Sequence, residues 1–182
     1  MRRLSLIGLC VIAALLAASC DKKQLESMYD TQEKYIEAIT TSLTNSNPEA
    51  SVDHNDGIVR ITIAHGDGAE LGENGAVAFY YAGYYLSGNK IDNSNLFVTN
   101  YEDLANSVNW AISDSTAFGI MTIRLDGSDI VEGLRKGLPG VKGGDECYIL
   151  FNGNHGFGKK KIANIPRNSA LAYHLWIKSV SD

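Results

Sequence analysis

Apolar residues recur at two different periods along this chain, and the change of period divides it. From Asp21 to Asn45, Leu25, Met28, Ile36, Ile39 and Leu43 return near helical spacing, with Tyr29 and Tyr35 beside the stripe and charged residues opposite. This predicts one amphipathic helix. Asn45 to Asp56 is polar, contains Pro48 and reads as a linker. From Gly57 the period falls to two: Ile58, Arg60 and Thr62 alternate with Val59, Ile61 and Ile63. A second alternating run, Val77 to Ala82, leads through a Gly-containing turn to Ile91-Asp92, and reads as a hairpin. Gly119 to Leu125, Glu146 to Phe151 and Ala170 to Val180 predict three further strands. Between them lie an irregular polar stretch, Asn93 to Phe118, with a short helix expected inside Tyr101 to Trp110, and a short helix over Asp129 to Lys136. Ser128 is placed to cap that helix and Gly137 to end it. Many strands and one short crossing helix make an α+β pattern.

The first residues change the picture. Arg2 and Arg3 precede an apolar run from Leu4 to Leu16, then Ala17-Ala18-Ser19. This is the layout of a secretory signal and is too short for a confident membrane span. Cys20 follows directly and resembles the modified cysteine of a bacterial lipoprotein, although Ala17 stands where a leucine is usual. An ordinary secreted chain with a chance cysteine is the competing reading. If the lipid reading holds, Cys10 is discarded, Cys20 is acylated and Cys147 is left alone, so no internal disulfide can form. Cys147, inside a strand-like run, reads as a buried inert thiol.

The net charge is −5, and losing Arg2 and Arg3 with the leader takes it to −7. An acidic chain without a basic stripe argues against nucleic acid as a partner. His54, His65, His155 and His174 show no paired ligand spacing, which argues against zinc. Asp53 to Gly57 lacks the glutamate that closes a calcium loop. Gly153 to Gly158 lacks the strand–loop–helix context of a nucleotide site. Lys159-Lys160-Lys161 reads as a solvated loop.

Seven short segments occur in an order that resembles the FK506-binding-protein type of peptidyl-prolyl isomerase. They are Gly57 to Gly68, Tyr81-Ala82-Gly83, Gly88 to Ser94, Ile130 to Leu134, Gly137 to Gly144, Phe157-Gly158 and Ile165 to Tyr173. The resemblance covers about Gly57 to Val180. It implies a bent antiparallel sheet wrapped around one short helix, here with an added N-terminal helix and an insertion at about 95–118. The organisation expected is a leader over 1–19, a helix and linker over 20–56, and the FKBP-like domain over 57–182.

By the same resemblance an apolar pocket takes a proline ring. Tyr81, Asp92, Val131, Phe157 and Tyr173 match its catalytic positions, and Ile91, Met121, Ile130 and Leu134 its substrate-binding walls. Phe118 is the alternative to Met121. Val131 N–H would hold a substrate carbonyl and Asp92 would orient the site. No metal or cofactor is implied. Ile91 and Leu134 replace aromatic residues, and Phe157 replaces a tyrosine. The expectation is therefore a weak isomerase acting on X-Pro segments of envelope proteins, anchored by lipid on Cys20 in the cell envelope. A peptide- or protein-binding module without turnover is the alternative, and a structural lipoprotein whose helix and insertion hold a partner is a third.

One expectation follows from alternation alone. Leu171, Tyr173, Leu175 and Ile177 share one face of the last strand, and His174 and Trp176 the other; Tyr80 and Tyr84 lie on that second face too. An exposed aromatic patch there needs a cover. The N-terminal stripe is expected to supply it near Trp176, with a dimer arm as the competing idea.

Overall fold

The alternating runs pair into a single seven-stranded antiparallel sheet. This computed structural model describes residues 3–110, 118–127 and 130–181, with side chains from Lys22 onward. The side chains of residues 1–21, Cys20 among them, the 111–117 part of the insertion and the expected cap at Ser128 lie outside the described residues. The elements are α1 (Arg3–Ser46), β1 (Ser51–Asn55), β2 (Ile58–Ala64), β3 (Ala76–Leu86), β4 (Leu96–Thr99), α2 (Glu102–Ser107), β5 (Met121–Arg124), α3 (Glu132–Gly137), β6 (Glu146–Phe151) and β7 (Ala170–Ser181). The strand order is β1-β2-β6-β7-β3-β4, and β5 also pairs with β3. The fold is the expected bent sheet with one short helix.

Two strands depart from the sequence reading. Ser51–Asn55, read as linker, pairs with β2 from Ser51↔Thr62 to Asn55↔Ile58. Asp56 and Gly57 both take positive φ, 49° and 80°, which makes the two-residue turn that suits a hairpin. The Asp-Gly pair was the available signal. The strand beside it is nearly all exposed, so it carries no apolar alternation to read. The second departure is β4. The chain does not return from β3 at Ile91 but five residues later, at Leu96, and pairs Tyr84↔Leu96, Gly83↔Val98 and Ala82↔Thr99.

β4 and β5 share one edge of β3: β5 takes Ala76 to Phe79 and β4 takes Ala82 to Tyr84. The insertion therefore leaves and rejoins the sheet along a single strand. Asn100 closes its base. Its Oδ1 accepts from Tyr81 N, and its Nδ2 donates to Phe79 O and Gly119 O. With only 5% exposure, this amide satisfies backbone groups that a sheet edge would otherwise leave unpaired.

The inner face carries the main core. Val77 and Phe79 of β3, Cys147, Ile149 and Phe151 of β6, and Leu171, Tyr173, Leu175 and Ile177 of β7 pack there with Leu134 and Leu138 of α3. The helix lies very close to the sheet. A Cβ on Gly133 would sit 2.2 Å from the Phe151 ring, so glycine is required for the approach.

The chain divides into two compact units, Met1–Thr31 and Gln32–Asp182. Within the second, the Gln32–Ser46 part of α1 lies on the outer face. Ile36 and Ile39 are buried against Val59, Ile61, Leu150, Ala170 and Ala172. Alanines at 170 and 172 leave room for them. Gln32 fixes the register: its amide donates to Asn168 O and accepts from Gly153 N. So the helix does cover the outer face, but not at Trp176. That ring packs on Tyr101, centroids 4.4 Å apart, within a cluster supplied by the insertion. The insertion covers the aromatic end of the face because α1 is already spent on the alanine end.

Candidate functional site

Alternation delivers Tyr81 from β3 and Tyr173 from β7 to the same side of the sheet as α3. Leu134 and Tyr173 are buried members of the inner core, and Tyr81, Phe97, Ile130, Val131 and Phe157 are half-buried against it. The aromatic side chains meet edge to face. Phe97 stands 5.9 Å from Tyr173 at 90° and 6.2 Å from Phe157 at 73°. Phe151 lies 6.0 Å behind Tyr173, nearly parallel. Edge-to-face packing sets the positive ring edge against the negative face and holds each ring's orientation. Gly83 makes the cluster possible: a Cβ there would meet Phe97 Cζ at 2.8 Å and Tyr173 Cε1 at 3.0 Å. Val131 is the N-cap residue of α3, so its N–H precedes the helix and has no intrahelical acceptor.

Six of the expected site residues, Tyr81, Ile130, Val131, Leu134, Phe157 and Tyr173, thus share one cluster. Ile91 and Asp92 do not. Ile91 packs on the outer face, against the α1 and insertion clusters. Asp92 caps the 3₁₀ turn Asn93–Asn95, accepting from Ser94 N at 2.9 Å and Ser94 Oγ at 2.7 Å. Those two bonds, then Lys90, hold its carboxyl down at about 2. Their displacement follows from the later return of the chain. Met121, expected as a wall, pairs opposite Phe79 and stays 40% exposed, while Ile123 from the same strand packs on the core.

The residue that sequence reasoning missed is Phe97. Ile91-Asp92-Asn93-Ser94 and Phe97-Val98-Thr99-Asn100 are two candidates for the same short pattern, one with the carboxylate and one with the aromatic ring. The fold uses the second. The aromatic wall expected to be lost is therefore present, and the position after it is Val98.

The sequence model for the family described as FKBP-type peptidyl-prolyl cis-trans isomerase matches residues 68–178, more than half of the chain. The chain belongs to this family. Among solved structures it is similar to FkpA from Escherichia coli, at 22% identity and TM-score 0.53, covering 95% of this chain and 70% of that one. It is also similar to a peptidyl-prolyl cis-trans isomerase from Pseudomonas syringae pv. tomato, at 17% identity and TM-score 0.54, covering 83% of this chain and 96% of that one. The three FKBP domains of wheat FKBP73 align at 14% identity and TM-score 0.55, over 72% of this chain and 49% of that one, so the chain spans about half of the wheat protein's length. At these identities the likeness is one of fold. No curated protein matches the chain in sequence.

In this FKBP-type domain the base of the aromatic cluster is buried. Tyr173 is 5% exposed, and burial pushes its phenol, like that of Tyr81, above the usual tyrosine range. Both hydroxyls therefore stay protonated and can only act as hydrogen-bonding groups. Burial also pushes the Cys147 thiol up to about 12, so it is no nucleophile. Beside the aromatic cluster an open cavity of about 390 Å³ continues past Ile130, Val131 and Phe157 to Asn154 and Lys160. Glu132, which lines it, contacts Lys136 at 3.0 Å, and Lys136 contacts Asp56 at 2.6 Å. His155 adds a contact to Glu132 at 3.4 Å, and its carbonyl accepts from Gly133 N. These contacts tie the loop after β6 to the start of α3.

Proposed function

We propose that the chain is a lipid-anchored envelope protein whose FKBP-type domain turns X-Pro bonds in exposed segments of envelope proteins, at a modest rate. The observation that carries this reading is the aromatic cluster of Phe97, Phe157 and Tyr173 beside Tyr81 and Val131, with an open cavity next to it. Rotation about an X-Pro amide faces a barrier of about 18–20 kcal/mol because twisting breaks resonance. The twisted amide has less charge separation than the planar one, so an apolar wall favours it. An environment that holds the twisted form better than either planar isomer is a catalyst by that fact. The proline ring would lie against Phe97 and Tyr173, with Val131 N–H taking a backbone carbonyl outside the twisting bond. The Leu4–Leu16 run and Cys20 motivate the anchor.

Proline isomerisation of a chymotrypsin-cleavable peptide tests the activity: the relaxation rate should rise linearly with protein and fall with Tyr81→Ala. Intact mass should show lipid on Cys20, and an unmodified natural N-terminus would remove the anchor from the proposal. The second reading is a peptide-binding module without turnover. Val98 beside Phe97 and the missing hydroxyl of Phe157 favour it, because the cleft then lacks two polar groups for orienting a substrate backbone. Saturable binding of a proline peptide with no rate enhancement would select it.

A further inference from the structure

A second cavity lies on the opposite face of the sheet, within the Gln32–Asp182 unit, and has a volume of about 440 Å³. We propose that it is a binding site for a small, uncharged, planar aromatic molecule. Its back wall is a row of rings from adjacent strands. Tyr148 of β6 stacks on His174 of β7, centroids 4.0 Å apart and 16° from parallel, and His174 meets Trp176 at 3.8 Å. Tyr84 of β3 adds a fourth ring, and Ile39 and Leu43 of α1 face them with Ile91 and Leu104. Rings stacked on one another turn their edges outward, and a flat ring laid across the row meets those edges with its face, the T-shaped arrangement that aromatic pairs favour. The volume falls in the range of small-molecule sites, about 300–1,000 Å³.

The charges around it favour an uncharged ligand. Lys90 lines the mouth but pairs with Asp92 at 3.2 Å. His174 is the only titratable nitrogen in the wall. Its Nε2 is 2.8 Å from Glu146 Oε1, and burial favours the neutral ring, whose N–H donates to that carboxylate. Among the described lining residues, the charged and titratable side chains Lys90 and His174 each have an acidic partner. Ser42, Asn89 and Asn93 supply neutral hydrogen-bonding groups at the mouth, suited to a carbonyl or ether at one end of the ring system. The site is formed by the two features added to the sheet, the helix and the insertion. Its occupancy is independent of proline isomerisation in the inner cleft.

The test uses the full chain and 7-methoxycoumarin, an uncharged bicyclic ring. Trp110 and Trp176, the two tryptophans, both pack in the cluster beside this cavity, so their emission reports on it directly. Saturable quenching with one equivalent bound and a dissociation constant below about 1 mM is expected. Ser42→Phe and Asn89→Phe replace exposed residues on opposite sides of the mouth, and each should weaken binding about tenfold or more. Having two separate fillers keeps the test decisive if one of them fails to fold. Phe157→Ala, in the inner cleft, should leave binding unchanged. Absence of saturable quenching, equal binding in both filled variants, or loss of binding in Phe157→Ala each overturns the site.

Discussion

The same three strands, β3, β6 and β7, build both faces of the sheet, yet the faces are finished in different ways. The inner face is closed by α3, which approaches so closely that Gly133 has no room for a side chain against Phe151. The outer face is covered by two separate pieces, the Gln32–Ser46 helix over the alanine end and the insertion over Trp176, and it keeps a cavity between them. Beside the single helix an open cavity of about 390 Å³ lies at the helix entry. A cover made in two parts leaves a recess at the seam. On this reading the family activity belongs to the face closed by one helix, and any activity particular to this chain to the face where the cover is interrupted.

Removing one side chain from each cover separates their contributions. Ile36→Ala empties a site that is 2% exposed on the outer face and should cost about 2–5 kcal/mol of stability. Proline-peptide binding to the folded fraction should not change, since Ile36 touches no inner-face residue in its cluster. Urea unfolding monitored by circular dichroism, with peptide titration below the midpoint, reads both quantities. A loss of peptide affinity would show that the two faces are coupled through the sheet.

Gly133→Ala probes the other cover. Alanine is the better helix former by about 1 kcal/mol, so an unobstructed site would be stabilised. Here the new methyl meets a fully buried ring that cannot retreat, and overpacking of this kind costs about 1–3 kcal/mol. The expected sign is therefore destabilising, with a matching loss of peptide affinity as α3 and Val131 are pushed away from the sheet. A more stable Gly133→Ala protein would mean that the helix has slack and that the cleft is less rigid than the packing implies.

How far these faces were legible in sequence depended on whether a local pattern had a rival. β6 is a short, almost wholly apolar run bounded by glycines, and β7 is a long run whose period of two assigns Tyr173 inward and Trp176 outward. The hairpin after β3 had two competing continuations. Ile91-Asp92 has the carboxylate and the nearer turn, whereas Phe97-Val98 has the ring that fills the space above Gly83. Packing decided between them, and packing is invisible to spacing. β1 was hidden for another reason: an exposed edge strand has no buried face to impose alternation, and only its Asp-Gly turn marked it. The placement of α1 needed knowledge of which outer-face residues are small, because Ala170 and Ala172 rather than Trp176 receive Ile36 and Ile39.

A smaller effect is expected within the inner cleft. Phe157→Tyr adds a hydroxyl beside Phe97, and one net hydrogen bond to a peptide backbone is worth about 0.5–1.5 kcal/mol. Affinity for a proline peptide, measured by calorimetry, should rise about five-fold if the ring edge of residue 157 faces the bound backbone. Unchanged or weaker affinity would show that the peptide does not lie along Phe157, and would shift the comparison toward a cleft used differently from the rest of the family.

The smallest expected effect is a pH dependence confined to the outer face. His174 lies between Tyr148 and Trp176, and burial there lowers its folded pKa below the usual histidine value, more than the Glu146 hydrogen bond raises it. Glu146 is held below the usual carboxylate range, chiefly by the hydrogen bond from His174, which a neutral ring can donate. The signs run the same way. For a group with a lowered folded pKa, the unfolded chain binds the proton first, so stability is complete above the unfolded value and falls as pH drops through the folded one. For His174 the loss should begin near pH 6.5, the unperturbed histidine value, and for Glu146 only in the carboxylate range below it. The melting temperature should therefore decline from about pH 6.5 downward, before carboxylates titrate. His174→Phe keeps an aromatic ring in the row, removes the proton site and should flatten that first decline. It also removes the hydrogen bond that holds Glu146 down, so the Glu146 share of the later decline should shrink with it. Among the described residues no histidine lines the inner cavity, so proline-peptide affinity should stay level across the same window. A decline of equal size in the His174→Phe protein would place the titrating group elsewhere.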